Sequence, residues 1–212
     1  MSVRIKNCGL KTPEAIQAAI QSHADFLGFI IHPASPRHVA MEQLAPLLAL
    51  VPPHIHTVCV MVNPADDLLA TVLNQVRPSF LQLHGDEPIS RVKEIKRIIK
   101  LPIIKAVGIE TAEDVALAQH YQSVADYLLL DTKAPTEHGG TGRSFNWRLL
   151  DGFSSSVPWF LSGGLNLANV VEAIAQTHAR YVDVSSGIES SRGAKDEAKI
   201  IAFNEAVKRI EP

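Results

Sequence analysis

The chain has little of what marks secreted, membrane-bound or nucleic-acid-binding proteins. Two cysteines, Cys8 and Cys59, in 212 residues do not make a disulfide framework and predict a reduced, cytoplasmic setting. The first residues, Met1-Ser2-Val3-Arg4-Ile5-Lys6, lack the apolar stretch of a secretory signal. No apolar run approaches the roughly 18 residues of a membrane span, so no membrane partner is expected. Charge is close to balance, with 20 Lys and Arg against 22 Asp and Glu for a net of −2. Without a basic block there is no electrostatic footprint for nucleic acid. No spacing of His, Cys, Asp and Glu resembles a metal site. Charged residues are 20% and hydrophobic residues 46%, a balance that argues against disorder and supplies a large core.

What is present is a regular alternation. Eight short apolar segments read as strands, beginning near Val3, Asp25, His56, Ser79, Pro102, Asp126, Pro158 and Arg180, at steps of 22, 31, 23, 23, 24, 32 and 22 residues. Helical patterns fill the intervals. Thr12-Pro13-Glu14 opens the first, with threonine as N-cap and proline at the first helical position. Asn63-Pro64 opens the third, and Thr111-Ala112-Glu113-Asp114 opens the fifth with acidic residues in its first turn. Asn166 is placed to cap the seventh, and residues 194–210 form the eighth. The sixth shrinks to a short piece around 146–151. Strict alternation implies a parallel sheet with right-handed crossovers, and eight units predict a closed (β/α)8 TIM barrel filling residues 1–212 as one domain. The alternative, an open doubly wound sheet, wants a Gly-x-Gly-x-x-Gly turn after the first strand. Here that turn is Cys8-Gly9-Leu10-Lys11-Thr12.

The first strand carries charges. Val3, Ile5 and Asn7 share one face; Arg4, Lys6 and Cys8 share the other. If Val3 and Ile5 lie under helices, Arg4 and Lys6 point into the barrel, where a cation is expensive unless paired. The eighth strand closes beside the first and offers Asp183 on the matching face. The other reading is an exposed edge strand guarded by its cations; eight regular units favour closure.

Catalytic enzymes of this architecture work at the strand C-termini, so the residues there are the candidates. Cys8 ends the first strand and Asp131 ends the sixth, in Leu129-Leu130-Asp131-Thr132. A thiolate and a carboxyl facing each other would make a base and an acid. Two glycine turns, Ser162-Gly163-Gly164-Leu165 and Ser185-Ser186-Gly187-Ile188, follow strands seven and eight, where barrel enzymes commonly hold a phosphate on backbone N–H groups. Arg37, in the proline-stiffened Pro33-Ala34-Ser35-Pro36-Arg37, suits bidentate binding of a carboxylate, or else is a solvated surface arginine. His84, ending strand four, has two open readings: a substrate or proton-handling group, or a hydrogen-bonded core histidine. The segment 131–142, with Gly139-Gly140-Thr141-Gly142, reads as a lid or as a plain connector. Cys59 reads as a small core hydrophobe.

Taken in order, Lys6-Asn7-Cys8-Gly9, Ser35-Pro36-Arg37, Gln82-Leu83-His84-Gly85, Leu130-Asp131-Thr132, Gly139-Gly140-Thr141-Gly142 with Phe145-Asn146-Trp147, Ser162-Gly163-Gly164-Leu165 and Asp183-Val184-Ser185-Ser186-Gly187 resemble the phosphoribosylanthranilate isomerases of tryptophan biosynthesis, over essentially the whole chain. Asn7 departs from the family pattern, standing where isoleucine is frequent, as does Ser191-Arg192-Gly193, where a proline often precedes the glycine. The resemblance implies a cofactor-free Amadori rearrangement of a small phosphorylated substrate. It implies Cys8 as general base, its thiolate favoured by Lys6, and Asp131 as general acid, its pKa raised by burial among leucines. It further implies Arg37 on the anthranilate carboxylate, Asp183 and His84 on the sugar and aminoaryl part, and Gly163, Gly164, Ser186 and Gly187 on the phosphate. Monomer and homodimer are both compatible with it. Two other readings stand beside it. A histidine-pathway isomerase performs the same rearrangement but typically with two aspartates, and a non-catalytic phosphosugar-binding barrel would need neither Cys8 nor Asp131.

Overall fold

A computed structural model describes residues 2–133 and 144–210; most of the expected lid, residues 134–142, lies outside the described residues. Eight parallel strands close on themselves in sequence order. They are β1 (Arg4–Cys8), β2 (Phe26–Ile30), β3 (His56–Met61), β4 (Phe80–Leu83), β5 (Ile103–Ile109), β6 (Tyr127–Thr132), β7 (Trp159–Leu161) and β8 (Tyr181–Val184), each beginning within one residue of its expected start. The α-helices among the described residues are α1 (Pro13–Gln21), α2 (Met41–Leu48), α3 (Asp66–Gln75), α4 (Ile89–Ile99), α5 (Ala112–Tyr121), α6 (Val170–Thr177) and α7 (Glu197–Lys208). In the sixth interval a 3₁₀ turn, Trp147–Leu150, stands where a helix would be.

The strands are apolar on both faces because both faces are buried. In β2, Leu27 and Phe29 join the large core under the helices, while Phe26 belongs to the core inside the barrel. Helices supply the matching stripe, as in α4 with Val92, Ile95 and Ile99 buried. Thr12 caps α1 by accepting from the Ala15 N–H at 3.3 Å, and Thr111 with Asp114 forms a capping box on α5. Three expected boundaries move. The third helix begins at Asp66 rather than at Pro64, because Asn63 takes a left-handed φ of 44° and donates its N–H to Glu87 at 2.8 Å. Asn169 takes the N-cap place of α6 in Asn166's stead, and Asn166 caps only its own turn, its Oδ1 accepting from Ala168 N–H at 2.9 Å. The last helix starts at Glu197, since the residues before it form a hairpin, β9 (Glu189–Ser191) with β10 (Ala194–Lys195).

One device recurs at the strand starts. The residue just before β2, β4 and β6 accepts a hydrogen bond from the backbone of the preceding strand: Asp25 from Ile5 at 2.9 Å, Ser79 from Thr57 at 3.2 Å and Asp126 from Ile103 at 2.9 Å. Inside the barrel, at the same N-terminal end, Phe26, His56, Phe80, Tyr127, Phe160 and Tyr181 form a continuous ring of edge-to-face and tilted contacts, with centroids 4.9–6.3 Å apart. Above this aromatic floor lie Lys6, Gln82 and Asp183, all buried. Arg4, expected to join them, is exposed instead, because the strand enters the barrel at that residue.

Asn7 explains its own departure from the family pattern. It points outward under α7, where its amide and that of Asn204 exchange hydrogen bonds at 2.9 and 3.0 Å. Asn204 also donates to Ser22 at 2.8 Å, so β1, α1 and α7 share one buried polar knot. Asn7→Ile alone should destabilise the fold by about 1–3 kcal/mol, since it leaves the Asn204 Oδ1 unpaired. Asn7→Ile with Asn204→Leu should recover most of the loss. Urea unfolding of the four proteins checks this, and a double variant no better than the worse single one would contradict it.

Candidate active site

The C-terminal ends of the strands surround a cleft of about 630 Å³, open on one side and bordered by Cys8, Arg37, His84, Asp131, Gly163, Gly164, Asp183 and Ser186. Seven of these eight come from five different strands or from the turns that follow them. Of the expected site residues, only Gly187 does not border it.

The base side begins at the seam between β1 and β8. Lys6 and Asp183 are register partners there, and the Lys6 ammonium lies 2.7 Å from the Asp183 carboxylate. Burial pulls the Lys6 pKa down, but Asp183 and then Cys8 outweigh it and leave the ammonium stabilised above its ordinary 10.5. Cys8 lies one pleat further up the same face, opposite Gly28. A Cβ on Gly28 would come within 2.9 Å of the Cys8 sulfur and 3.2 Å of the Lys6 nitrogen, so glycine makes room for both. Burial raises the thiol pKa above its ordinary 9.0; Lys6 opposes the rise, in the direction expected of it, as does Lys195, while Asp183 adds to it. Cys59 is inert by comparison, pushed by burial to about 12.

Arg37 is buried rather than solvated. Its guanidinium forks onto Glu189, Nε to Oε1 at 2.6 Å and Nη2 to Oε2 at 3.0 Å. Glu189 also accepts from Lys195 at 2.9 Å and from the Gly193 N–H at 3.1 Å. Burial would raise the Glu189 pKa, but Arg37 and then Lys195 hold it down at about 2. Lys195 in turn donates to Ser185 O at 2.8 Å, and Ser185 Oγ donates to the Cys8 carbonyl at 3.1 Å. Glu189 and Lys195 were not legible as site residues; the only signal was a glutamate two places beyond the glycine turn.

Elsewhere on the rim, Asp131 is buried as expected. Oδ1 accepts from Thr132 N–H at 2.7 Å, and Oδ2 lies 3.2 Å from His84 Nε2. His84 is therefore a rim residue in contact with Asp131. Behind it, Glu87 accepts from Gly85 N–H and pairs with the buried Lys105 at 2.9 Å, which fixes the loop.

The glycine turns answer first to packing. Gly163 and Gly164 have φ of 85° and 64°, and a Cβ on Gly163 would lie 2.6 Å from Thr132 N. Gly187 bridges to Asn166, and a Cβ there would strike the Leu165 carbonyl. Gly187 thus locks the two turns together behind the cleft. Among the described residues no group of three His, Cys, Asp or Glu could hold a metal ion, and no helix is long and apolar enough to cross a membrane.

A parallel barrel with a thiol, a carboxyl and a cation pair at the C-terminal rim is the architecture of a (β/α)8-barrel enzyme. The family profile of N-(5′-phosphoribosyl)anthranilate isomerase matches residues 5–206. The enzyme of that name from Rhodopseudomonas palustris (strain TIE-1) is 42% identical over 98% of this chain and 99% of its own. The solved isomerase from Thermotoga maritima superposes with a TM-score of 0.87 at 35% identity, over 98% of this chain and 100% of that one. Another solved isomerase, in complex with reduced 1-(o-carboxyphenylamino)-1-deoxyribulose 5-phosphate, gives 0.84 at 33% identity with the same coverage. The chain belongs to the N-(5′-phosphoribosyl)anthranilate isomerase family.

The Arg37–Glu189–Lys195 cluster sets a pH-dependent term in stability. The folded pKa of Glu189 lies below its ordinary 4.5, so its contribution is full above that value and fades as pH falls toward 2. Glu189→Gln should cost about 3 kcal/mol near pH 7. The gap to the parent protein should narrow below pH 4.5. Denaturant unfolding at pH 7, 4 and 3 reads this directly; a gap that stays constant across the series would show that the ionised carboxylate is not the source.

Proposed function

We propose that Cys8 is the general base and Asp131 the general acid of the family's reaction. Membership sets that reaction: the Amadori rearrangement of N-(5′-phosphoribosyl)anthranilate to 1-(2-carboxyphenylamino)-1-deoxyribulose 5-phosphate, in tryptophan biosynthesis. Asp131 gives a proton to the furanose ring oxygen as the C1′–O bond breaks, leaving an iminium at C1′. Cys8, as thiolate, takes the proton from C2′, and the freed electron pair makes the C1′=C2′ bond of an enolamine. The enol proton then moves to C1′ and the 2′-ketone results. Asp131 has lost one proton and Cys8 has gained one, so the site resets when these are exchanged with solvent.

The observation that carries this reading is that the cleft borders both groups at once, with a cationic side around Cys8 and N–H donors around Asp131. The donors face the negative charge that develops on Asp131 as its proton leaves. Arg37 binds the anthranilate carboxylate, with Glu189 fixing the plane of its guanidinium. Asp183 and His84 meet the sugar and aminoaryl part. The turns of Gly163, Gly164, Ser186 and Gly187 hold the phosphate. A working unit of one domain, residues 1–212, acting in the cytoplasm as monomer or homodimer, completes the proposal; the packing of β1 on β8 and of α1 on α7 supports the first part.

Cys8→Ser and Asp131→Asn should each lower kcat by roughly 10²–10⁴-fold with binding of product retained, whereas Cys59→Ser should leave kcat unchanged. Because the Cys8 thiol is raised above 9.0 in the free protein, kcat/KM should keep climbing with pH up to and beyond pH 9. Fluorescence loss of freshly made phosphoribosylanthranilate follows all of this. Near-normal kcat in either site variant removes that residue from the mechanism.

A further inference from the structure

Gln82 is fully buried in β4, inside the barrel and one layer below the rim. Its register partners on the two flanking strands, Val60 and Ile104, are apolar members of the interior cluster. A buried amide in such surroundings is costly unless both its ends are satisfied. Here one end is and the other is not. The amide nitrogen lies 2.7 Å from His84 Nδ1, while Oε1 has no hydrogen-bond partner. An amide nitrogen can only donate, so Nδ1 accepts. The proton of a neutral imidazole is then on Nε2, and it is Nε2 that faces Asp131 Oδ2 at 3.2 Å.

We propose that Gln82 is a positioning residue that fixes His84 in the tautomer whose Nε2–H points at Asp131. This rests on reading Asp131 as the general acid. As Asp131 gives up its proton, negative charge grows on a carboxylate that already faces the Thr132 N–H. An Nε2–H adds a second donor, which binds more tightly as the charge develops and so favours the transition state over the ground state. The other tautomer would set a lone pair against the forming carboxylate. The orphaned Oε1 is the stability given up for holding the amide in the donating sense.

The test has three arms, all on the full chain. In ¹⁵N-histidine-labelled parent protein, two-bond ¹H–¹⁵N correlations should show His84 with Nδ1 bare and Nε2 protonated, His84 being identified by the signals lost in His84→Asn. In Gln82→Glu, which keeps the shape, Nδ1 should carry a proton once the pH is high enough to ionise the new carboxyl, which then only accepts. In Gln82→Met, which offers no hydrogen bond, the fixed tautomer should give way to a mixture. Both variants should lose kcat by roughly ten- to hundredfold, in line with the on-the-order-of-100-fold cost of misplacing a catalytic group, with KM within about twofold. A protonated Nδ1 in the parent overturns the proposal without any variant. So does Gln82→Glu with the carboxyl ionised and Nδ1 still bare, or both variants with kcat within twofold of the parent. Asp131→Asn separates this inference from its premise. If Asp131→Asn is active, the acid assignment fails. If it is inactive while the Gln82 variants are normal, only the inference fails.

Discussion

The Lys6–Asp183 ion pair is the constraint on which the rest of the site depends. It ties the first strand to the last at 2.7 Å, where the sheet closes. Two charges taken out of water cost several kcal/mol each, and their attraction repays this only with good geometry and further hydrogen bonds. Both conditions are met: Asp183 also accepts from Ser162 Oγ at 3.1 Å, and Lys6 reaches toward Cys8. A closed barrel and a cation beneath the thiol are therefore one arrangement. Gly28 is its steric counterpart, since any side chain there would displace the sulfur or the ammonium.

The two halves of the cleft are built on different principles. Around Cys8 the environment is charged: Lys6, Asp183, Glu189, Lys195 and Arg37 form a nearly continuous network from the interior to the rim. Around Asp131 it is dipolar, made of N–H groups from Thr132 and His84. In the proposed roles, cations suit a base that must hold negative charge to react, and donors already in place suit an acid that acquires charge only as it reacts. Burial still holds the resting thiol in its protonated form, so the cations limit the cost of ionising Cys8 without making it a standing anion.

The fold was legible because its signals are local. Strand starts, the Thr12-Pro13 and Thr111–Asp114 caps and the parity of Lys6 with Cys8 all follow from the next few residues. Cys8, Asp131, His84 and both glycine turns could be placed because a barrel presents its strand ends at one rim. Glu189 could not, for its role depends on a hairpin that packs against the Pro36 loop, where a Cβ on Gly193 would lie 2.7 Å from the Pro36 carbonyl; the sequence expectation instead ran the last helix from residue 194. Asn7 looked like a mere departure because its partner is 197 residues away. The pull of Lys6 on Cys8 was legible because a neighbouring lysine is visible in sequence, whereas the depth of burial that outweighs it is not. Asn63-Pro64 failed as a helix start because the tertiary bond to Glu87 holds Asn63 out of helical geometry.

The ring of aromatics at the N-terminal end has a consequence for traffic. Phe26, Phe80 and Phe160 are all buried in that ring, and the polar layer above it is sealed from below, with Lys6 and Gln82 fully inaccessible. Among the described residues the barrel is thus closed at its N-terminal end and opens at the other. Substrate enters, product leaves and protons are replenished through the same opening. While a ligand fills that opening, water has no back door to the thiol or the carboxyl. A reactive open-chain imine held there is shielded from hydrolysis by the same stopper that keeps the used protons in place, and the chamber can be recharged only once its contents have gone.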